Sequence, residues 1–238
     1  MTELMQLRRD LVVANRILAN ERVVDAFGHA SVRHPDRPDR FIMSYSRSPE
    51  LVTLDDLGVF DLEGTPVEKT DRKPYAERFI HAGIYEARPD VGAVIHNHSH
   101  EVIPFGVTAV PLRPLFHVGA TMGDQIPVWD IHDRFHDTDL LVVNMMQARD
   151  LARTLGPNTA ALMRGHGCVV VGPDIRTAVV SAVYMQVNAR LQMDAMRLGD
   201  VQYLTPEEVR LASETNLSPF VVARVWECWE ERARIQWD

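Results

Sequence analysis

Two histidines separated by a single residue, His96 and His98, lie at the end of a β-branched apolar run that begins at Val91. Because side chains alternate between the two faces of a strand, both imidazoles point to the same side. Imidazole is the commonest neutral metal ligand, and two such rings on one strand need only one or two more groups to complete a divalent site. A hydrogen-bonded pair of histidines at a strand end is the alternative. The spacing therefore favours two ligands of a divalent metal site.

A third histidine, His166, stands between Gly165 and Gly167. Glycine permits a sharp turn and a close approach of another backbone segment, so the imidazole is the one side chain that projects there. A hairpin that happens to carry a histidine at its tip is the alternative. Taken with the strand pair, the turn predicts one divalent metal ion held by His96, His98 and His166.

The candidate acid/base is Glu77. Lys73 and Pro74 predict the start of a helix, because proline suits the first turn, and Glu77 then falls in that turn. The helix dipole favours an anion there and holds its position. A solvated glutamate that only complements the dipole is the alternative. His81 follows one turn later, and we interpret it as a supporting or packing histidine rather than a ligand.

The surrounding sequence predicts the elements that carry these residues. Apolar residues recur at intervals of three and four from Glu3 to Asp25, as in an amphipathic helix. Short apolar runs separated by polar turns then predict antiparallel strands to about Phe60, and TAALMRGHGCVVVG predicts two strands joined at the Gly-His-Gly turn. Further helices are predicted over about 148–155, over 175–198, after the TPEE capping pattern, and over 218–237.

The 238 residues contain 46% hydrophobic side chains, enough for a sizeable core. No internal repeat, low-complexity segment or break in composition marks a linker. We therefore expect one α/β domain over residues 1–238, with helices at its C-terminal end.

Composition also excludes several classes of function. A formal charge of -8 provides no basic stripe for the phosphates of a nucleic acid. No apolar stretch approaches the roughly 18 to 20 residues that cross a bilayer, and the charged N-terminus does not fit a secretory signal. We therefore expect no nucleic-acid or membrane partner and a cytoplasmic location. Cys168 and Cys228 lie far apart, which argues against a disulfide framework and against a thiolate zinc site.

Three segments carry a resemblance to a known family. FGHASVR, KPYAERFIHAGIYEARPDVGAVIHNHSH and LMRGHGCVVVG occur in the order and approximate spacing of the class II aldolase/adducin family, and the chain resembles it from about residue 5 to residue 200. The resemblance implies an αβα sandwich with a central, mostly antiparallel sheet flanked by helices. It also implies a homo-oligomer, commonly a tetramer, with active sites between neighbouring subunits.

In the enzymes of this family the corresponding residues have defined roles. The resemblance implies that His96, His98 and His166 bind one divalent metal ion per subunit and that Glu77 is the general acid/base. Zinc and manganese are the expected metals, and iron and cobalt are also compatible with these ligands. The adducin branch lacks the metal set, so its retention here favours an enzyme.

The chain departs from the sugar-phosphate aldolases at the residues that hold phosphate. Their Gly-Asn, Thr-Gly and Ser-Ser pairs correspond here to Gly28-His29, to the run SYSRS over 44–48, and to Tyr75-Ala76. Small hydroxyl and backbone donors have been replaced by larger side chains, including an aromatic ring and an arginine. We therefore predict that the substrate is not phosphorylated.

These replacements suggest a planar carboxylic acid as substrate. Arg47 suits bidentate binding of a carboxylate, and Tyr45, Tyr75 or His29 is placed to flank an aromatic ring. His117, in the Gly/Pro-rich loop, is a contact either in its own pocket or in that of a neighbouring subunit. The candidate substrate contacts are His29, Ser31, Ser44, Arg47, Tyr75 and His117.

The SRSPEL run resembles that of the family branch that decarboxylates hydroxylated aromatic or pyridine dicarboxylates in catabolism. The expected function is therefore a metal-dependent carbon–carbon lyase that decarboxylates a small-molecule substrate such as dihydroxyphthalate or a hydroxypyridine dicarboxylate. The alternatives are an aldolase for an unphosphorylated hydroxy-keto acid, a sugar-phosphate aldolase, epimerase or dehydratase, and an adducin-like binding module without catalysis.

Overall fold

The computed structural model describes residues 2–233, which are built around one seven-stranded sheet. The strands are β1 (His29–Arg33), β2 (Arg40–Ser44), β3 (Leu57–Asp61), β4 (Ala93–Asn97), β5 (Val128–Trp129), β6 (Ala160–Met163) and β7 (Gly167–Gly172). They lie in the order β3-β2-β1-β4-β7-β6-β5, and all neighbours are antiparallel except β5 and β6. The mostly antiparallel central sheet is confirmed.

Helices cover both faces of this sheet. They are α1 (Glu3–Asn20), α2 (Arg78–Ala87), α3 (Ile103–Gly106), α4 (His132–Phe135), α5 (Met145–Leu155), α6 (Ile175–Leu198), α7 (Pro206–Asn216) and α8 (Pro219–Ala233). None of the helices in the described range is both long and apolar enough to cross a bilayer.

The sheet separates two apolar layers because successive side chains of each strand point to opposite faces. Ile95 of β4 packs into the layer that contains α1, α6 and α8, whereas its neighbour Val94 packs into the layer that contains α2 and α5. Both side chains are fully buried. This arrangement is the predicted αβα sandwich. His96, two residues after Val94, therefore lies on the side of the sheet that α2 covers.

The predicted end of α1 at Asp25 is wrong, because the helix ends at Asn20. Arg22 then adopts a positive φ of 61°, and the backbone N–H groups of Val23 and Val24 both donate to the carbonyl of Leu18. The turn carries both valines into the core, where they are 1% and 5% exposed. Val23, the last residue of the predicted apolar stripe, is therefore buried by this turn and not by a continuing helix.

The predicted start of α2 at Pro74 is also wrong, because the first helical residue is Arg78. The backbone of Ser46 donates to the carbonyl of Lys73 at 2.9 Å, so the segment before the helix is tied to the chain that continues β2. Glu77 is consequently the residue that precedes the helix, rather than a residue inside its first turn.

Other predicted elements are confirmed. The β6–β7 hairpin and α6 have the expected positions, and α7 begins with the reciprocal capping bonds of Thr205 and Glu208. α5 begins three residues before the predicted start, at Met145, since Asn144 caps it there. β5 and α4 were not predicted, because elements of two and four residues carry no periodicity. The predicted last helix is present as α8 to Ala233, and residues 234–238 lie outside the described range.

The long segment between α3 and β5 is held by side-chain amides of α6. Asn188 accepts from the backbone of Leu115 at 3.0 Å and donates to the carbonyl of Arg113 at 2.8 Å. Gln192 accepts from the backbone of Arg113 at 2.9 Å and donates to the carbonyl of Pro111 at 2.8 Å. These bonds replace strand pairing for part of an irregular segment and satisfy backbone groups of Pro111, Arg113 and Leu115.

Candidate metal centre

Three imidazoles meet where β4 ends beside the tip of the β6–β7 hairpin. His96 pairs with Val169 in the β4–β7 ladder, and His166 occupies the turn that leads into β7. The Nε2 atom of His98 lies 3.1 Å from Nε2 of His96 and 3.0 Å from Nε2 of His166. Residues 70 positions apart in the chain are thus joined because β4 and β7 are hydrogen-bonded neighbours.

Glu77 closes the cluster from the α2 side of the sheet. Its Oε2 atom lies 3.5 Å from Nε2 of His96 and 3.6 Å from Nε2 of His166, and its Oε1 atom accepts from the backbone of Val142 at 3.1 Å. Burial opposes the charged carboxylate, but His96 and His166 outweigh it and lower the pKa of Glu77. The carboxyl group is therefore anionic in the resting site.

The hydrogen bonding of His96 indicates which nitrogen is free to bind a metal. Its Nδ1 atom lies 3.1 Å from the carbonyl oxygen of Cys168, which only accepts, so Nδ1 carries the proton. Nε2 then bears a lone pair and faces the other imidazoles and Glu77. A backbone carbonyl that fixes the tautomer in this way is the usual support of a ligating histidine. Nδ1 of His166 is buried and has no partner among the described residues.

The residues fit a divalent cation. One donor atom from each of Glu77, His96, His98 and His166 lies within 4.8 Å of the others. Nitrogens bound to a tetrahedral zinc at about 2 Å are roughly 3.3 Å apart, close to the separations seen between the imidazoles. The cluster therefore has the donor set and the spacing of a metal site.

Gly167 allows the hairpin to approach β4 closely. A Cβ atom at this position would lie 2.1 Å from the carbonyl oxygen of Asn97 and 3.0 Å from the His98 ring. Gly165, on the other side of His166, has a φ of 67°, a conformation that favours glycine. Gly165 thus provides the expected sharp turn, and Gly167 provides the expected close approach of the backbone.

Substituting Gly167 by alanine is expected to separate the two strands at the cluster. We expect the free energy of unfolding to fall by about 1–3 kcal/mol, because an added methyl group forces the backbone apart. Zinc affinity should fall by about tenfold or more, because the distance between His98 and His166 changes. Urea unfolding of the metal-free protein and zinc titration against a competing chelator measure the two effects.

Gly106→Ala is the matched control for this substitution. Its added Cβ meets no atom closer than 3.6 Å, although Gly106 also lies against the end of β6. Stability and zinc affinity should stay close to wild type in this variant. Wild-type zinc affinity in Gly167→Ala would show that the close approach of the strands is not needed for the site.

A cavity of 640 Å³ opens beside the cluster. Its walls include Glu77, His98 and His166, so a bound molecule can reach both the carboxylate and the imidazoles. The remaining lining residues are Ala26, Phe27, Gly28, His29, Ser46, Arg47, Ser48, Tyr75, Ala76 and Leu141. Apolar and aromatic side chains thus surround a small number of charged groups, as in most sites for small organic ligands.

Three of the six predicted substrate contacts line this cavity, namely His29, Arg47 and Tyr75. The other three do not. Ser31 is fully buried between His81 and Tyr85, and Ser44 is 1% exposed beneath the cavity wall. Both serines are predicted substrate contacts, but each is buried on its strand and does not reach the cavity.

His117 lies away from this cavity, close to α7. Its ring nitrogen Nδ1 and its carbonyl oxygen are 3.4 Å and 3.1 Å from the side-chain amide of Asn216. The residue is exposed, at the start of the 3-10 turn over Val118–Met122. It therefore makes no contact with the pocket of its own chain, and a contact in a neighbouring subunit stays a prediction.

Arg47 and Tyr75 are held against each other at the pocket wall. The Tyr75 hydroxyl donates to the carbonyl of Arg47, so it offers its ring rather than its hydroxyl to the cavity. Nε of Arg47 donates to the carbonyl of Leu51 at 2.7 Å and lies 3.3 Å from Asp56. Within the described chain no partner is seen for its two terminal amino groups, which are free for a carboxylate.

Several residues of the site were not predicted from the sequence. Phe27 and Leu141 form apolar walls of the cavity, and the backbone of Val142 holds Glu77. Leu141 and Val142 follow a polar stretch without periodicity, so no pattern marked them. Phe27 is the first residue of the FGHASVR segment and could have been included with His29. His81 was interpreted as a supporting histidine, and it contacts His29 and Ser31 at the back of the pocket.

Comparison with known proteins places the chain in a family. Residues 9–193 match the family described as Class II Aldolase and Adducin N-terminal domain, and the chain therefore belongs to this family. The resemblance inferred from the three sequence segments is confirmed.

Two of the similar proteins are named as decarboxylases. The chain is 33% identical to the decarboxylase tropJ of Talaromyces stipitatus, over 93% of this chain and 91% of that protein. It is 23% identical to a 3,4-dihydroxyphthalate decarboxylase of Arthrobacter keyseri, over 81% of this chain and 79% of that protein. A solved L-fuculose 1-phosphate aldolase from Glaciozyma antarctica shares the fold, with a TM-score of 0.79 and 24% identity over 97% of this chain and 89% of that one.

Proposed function

We propose that this chain is a metal-dependent lyase that decarboxylates a hydroxylated aromatic or heteroaromatic dicarboxylate. The observation that carries the proposal is the cluster of three imidazoles and one carboxylate that opens into a cavity with aromatic and cationic walls. The names of the decarboxylase relatives support the same class of reaction. Dihydroxyphthalate and hydroxypyridine dicarboxylates have the chemistry that such a cavity fits.

His96, His98 and His166 would hold one divalent ion, with Glu77 beside it. The ion would supply Lewis acidity, which stabilises negative charge that develops on a substrate oxygen. Zinc and manganese are the metals that we propose, since three neutral imidazoles accommodate either. Metal analysis of the purified protein identifies the ion.

The pocket walls would hold the substrate through its ring and its remote carboxylate. Tyr75 and Phe27 offer aromatic faces, and Leu141 adds an aliphatic wall. The free amino groups of Arg47 suit the planar carboxylate that is retained in the product. The lining contains none of the Gly-Asn and Ser-Ser pairs that hold phosphate in sugar-phosphate aldolases, which supports an unphosphorylated substrate.

Glu77 would move the proton that the reaction needs. As a carboxylate it accepts the proton of the substrate's ortho hydroxyl, and it then delivers that proton to the ring carbon that bears the leaving group. The bond from this carbon to the carboxylate breaks, carbon dioxide departs, and the electron pair restores the aromatic ring. The remaining phenolate takes a proton from water, so one proton is consumed overall.

The test is carbon dioxide release from a defined substrate. Zinc- or manganese-loaded protein is incubated with 3,4-dihydroxyphthalate or with 3-hydroxypyridine-4,5-dicarboxylate, and product is measured before and after chelation and after metal is restored. We expect metal-dependent release with one of the two, and no inhibition by added sugar phosphates. Absence of release with both, together with pyruvate formation from a hydroxy-keto acid, would establish an aldolase instead.

We also propose that the chain forms a homo-oligomer, with a tetramer as the expected state and sites near the subunit interfaces. The exposed position of His117, outside the pocket of its own chain, fits a contact with a neighbouring subunit. Light scattering of the purified protein gives the number of subunits, and a monomer would contradict this assembly.

A further inference from the structure

Behind the cavity, four buried polar side chains form a hydrogen-bonded chain that the metal cluster does not use. Nδ1 of His29 lies 2.7 Å from Nε2 of His81, and Nδ1 of His81 lies 2.6 Å from the Ser31 hydroxyl. The Ser31 hydroxyl lies 2.9 Å from that of Tyr85. The four residues are between 0 and 4% exposed. In such surroundings each donor must meet an acceptor, so the direction of the bonds is constrained.

The Tyr85 hydroxyl determines which way the hydrogen bonds of this chain donate. Burial raises the pKa of this hydroxyl, so its proton is retained. Among the described residues, the Ser31 oxygen is the one acceptor that it contacts, and the Tyr85 hydroxyl therefore donates to Ser31. The proton of Ser31 must then point to its remaining neighbour, Nδ1 of His81. The opposite direction would leave the buried Tyr85 proton without an acceptor, at a cost that folded proteins avoid.

The hydrogen bonds donate in the same direction from His81 to His29. Burial lowers the pKa of His81 to about 3, so the ring has one proton at neutral pH. Because Nδ1 accepts from Ser31, that proton is on Nε2 and is donated to Nδ1 of His29. His29 then carries its own proton on Nε2. No partner is seen for this atom within the described chain, and the ring lines the cavity between Tyr75 at 4.6 Å and His96 at 5.1 Å.

We propose that Tyr85, Ser31 and His81 are positioning residues that hold His29 as a hydrogen-bond donor, with its Nε2–H group available to an anionic oxygen in the cavity. This rests on the proposed function, and the recipient is the substrate carboxylate that is retained, opposite the amino groups of Arg47. The other tautomer of His29 would turn a lone pair toward that carboxylate and repel it. The buried chain thus selects for a substrate with a second acidic group.

The tautomer is directly measurable by nitrogen NMR. Zinc-loaded protein labelled with ¹⁵N in its histidines is studied at neutral pH, and the His29 signals are assigned by their loss in His29→Asn. We expect His29 to be protonated on Nε2 and unprotonated on Nδ1. A His29 protonated on Nδ1 would overturn the proposal, whatever the protein does with a substrate.

Two substitutions of His81 separate positioning from simple packing. His81→Leu removes the donor to His29, and its His29 tautomer should become mixed or inverted. His81→Gln keeps an amide that accepts from Ser31 and donates to His29, and it should restore the wild-type tautomer. The same mixed tautomer in both variants, or the wild-type tautomer in both, would show that the hydrogen-bonded chain does not set the His29 tautomer.

Binding of phthalate tests the recipient without requiring turnover. We expect its dissociation constant to rise by about tenfold in His81→Leu, the loss of one hydrogen bond to a charged group, and to change little in His81→Gln. Equal binding by both variants, or no binding by any form, would overturn the carboxylate assignment. If the wild-type tautomer is as expected and carbon dioxide is never released, the proposed function is wrong, but the positioning of His29 by the hydrogen-bonded chain is still supported.

Discussion

Replacing His96 by alanine is expected to abolish stoichiometric metal binding and to lower the rate of carbon dioxide release by about a thousandfold or more. His96 is fully buried at the centre of the cluster, and its Nε2 atom is close to His98 and to Glu77. Removing it leaves two imidazoles beside the Glu77 carboxylate, one nitrogen ligand fewer than the proposed three-histidine site. A loss of about 4 kcal/mol of charge stabilisation corresponds to a factor of about a thousand.

The measurement pairs metal content with turnover. Zinc per chain is determined after dialysis, and initial rates are compared at saturating substrate with the metal in excess. Unfolding is followed for both proteins in the metal-free state, because loss of a buried ring also creates a cavity. Bound zinc should raise the melting temperature of the wild type and should leave that of His96→Ala nearly unchanged.

His100→Ala is the matched control. His100 is exposed, two residues beyond His98, and it is outside the cluster. Its loss should change neither zinc content nor rate. Wild-type turnover by His96→Ala in the presence of a chelator would contradict a metal-dependent reaction.

Glu77→Gln is expected to retain the metal and to lose most of the turnover. Glutamine keeps the shape of the side chain, and its amide oxygen can still accept from the backbone of Val142. It cannot accept and return a proton. General acid–base catalysis contributes about a hundred- to ten-thousandfold, so we expect kcat to fall by about a thousandfold while KM changes little.

Metal content distinguishes this result from a structural defect. Zinc should stay near one per chain in Glu77→Gln, with at most a modest loss of affinity, because the three imidazoles are intact. Glu86→Gln, in the exposed last turn of the same helix, should leave both zinc content and rate unchanged. If Glu77→Gln kept half of the wild-type kcat, another group would have to move the proton.

The sequence predicted the parts of the site that depend on short-range geometry. The alternation of a strand was enough to place His96 and His98 on one side, and flanking glycines were enough to mark His166 as a turn residue. The pairing of β4 with β7, which joins these two signals, is a long-range feature. This pairing was not predicted, since local patterns do not specify strand order; the family resemblance implied only that the three histidines bind one ion.

The parts that could not be predicted depend on irregular segments and on burial. The stretch that precedes Val142 has no periodicity, yet this segment provides both a pocket wall at Leu141 and a backbone donor to Glu77. Ser31 has the right neighbours in sequence for a substrate contact, but its strand position directs it into the core. Tertiary packing determines whether such a side chain reaches the pocket or the core, and this packing cannot be inferred from a single sequence.

The three imidazoles differ in how closely the protein encloses them. His96 is fully enclosed beneath the sheet, whereas the ring of His98 is only partly covered and borders both the cavity and a second cleft near Asp25. An incoming or departing cation would therefore exchange its first or last bond with His98. Chelators should compete at this outer ligand first, and the rate of metal loss would be governed by how freely that one ring can turn away.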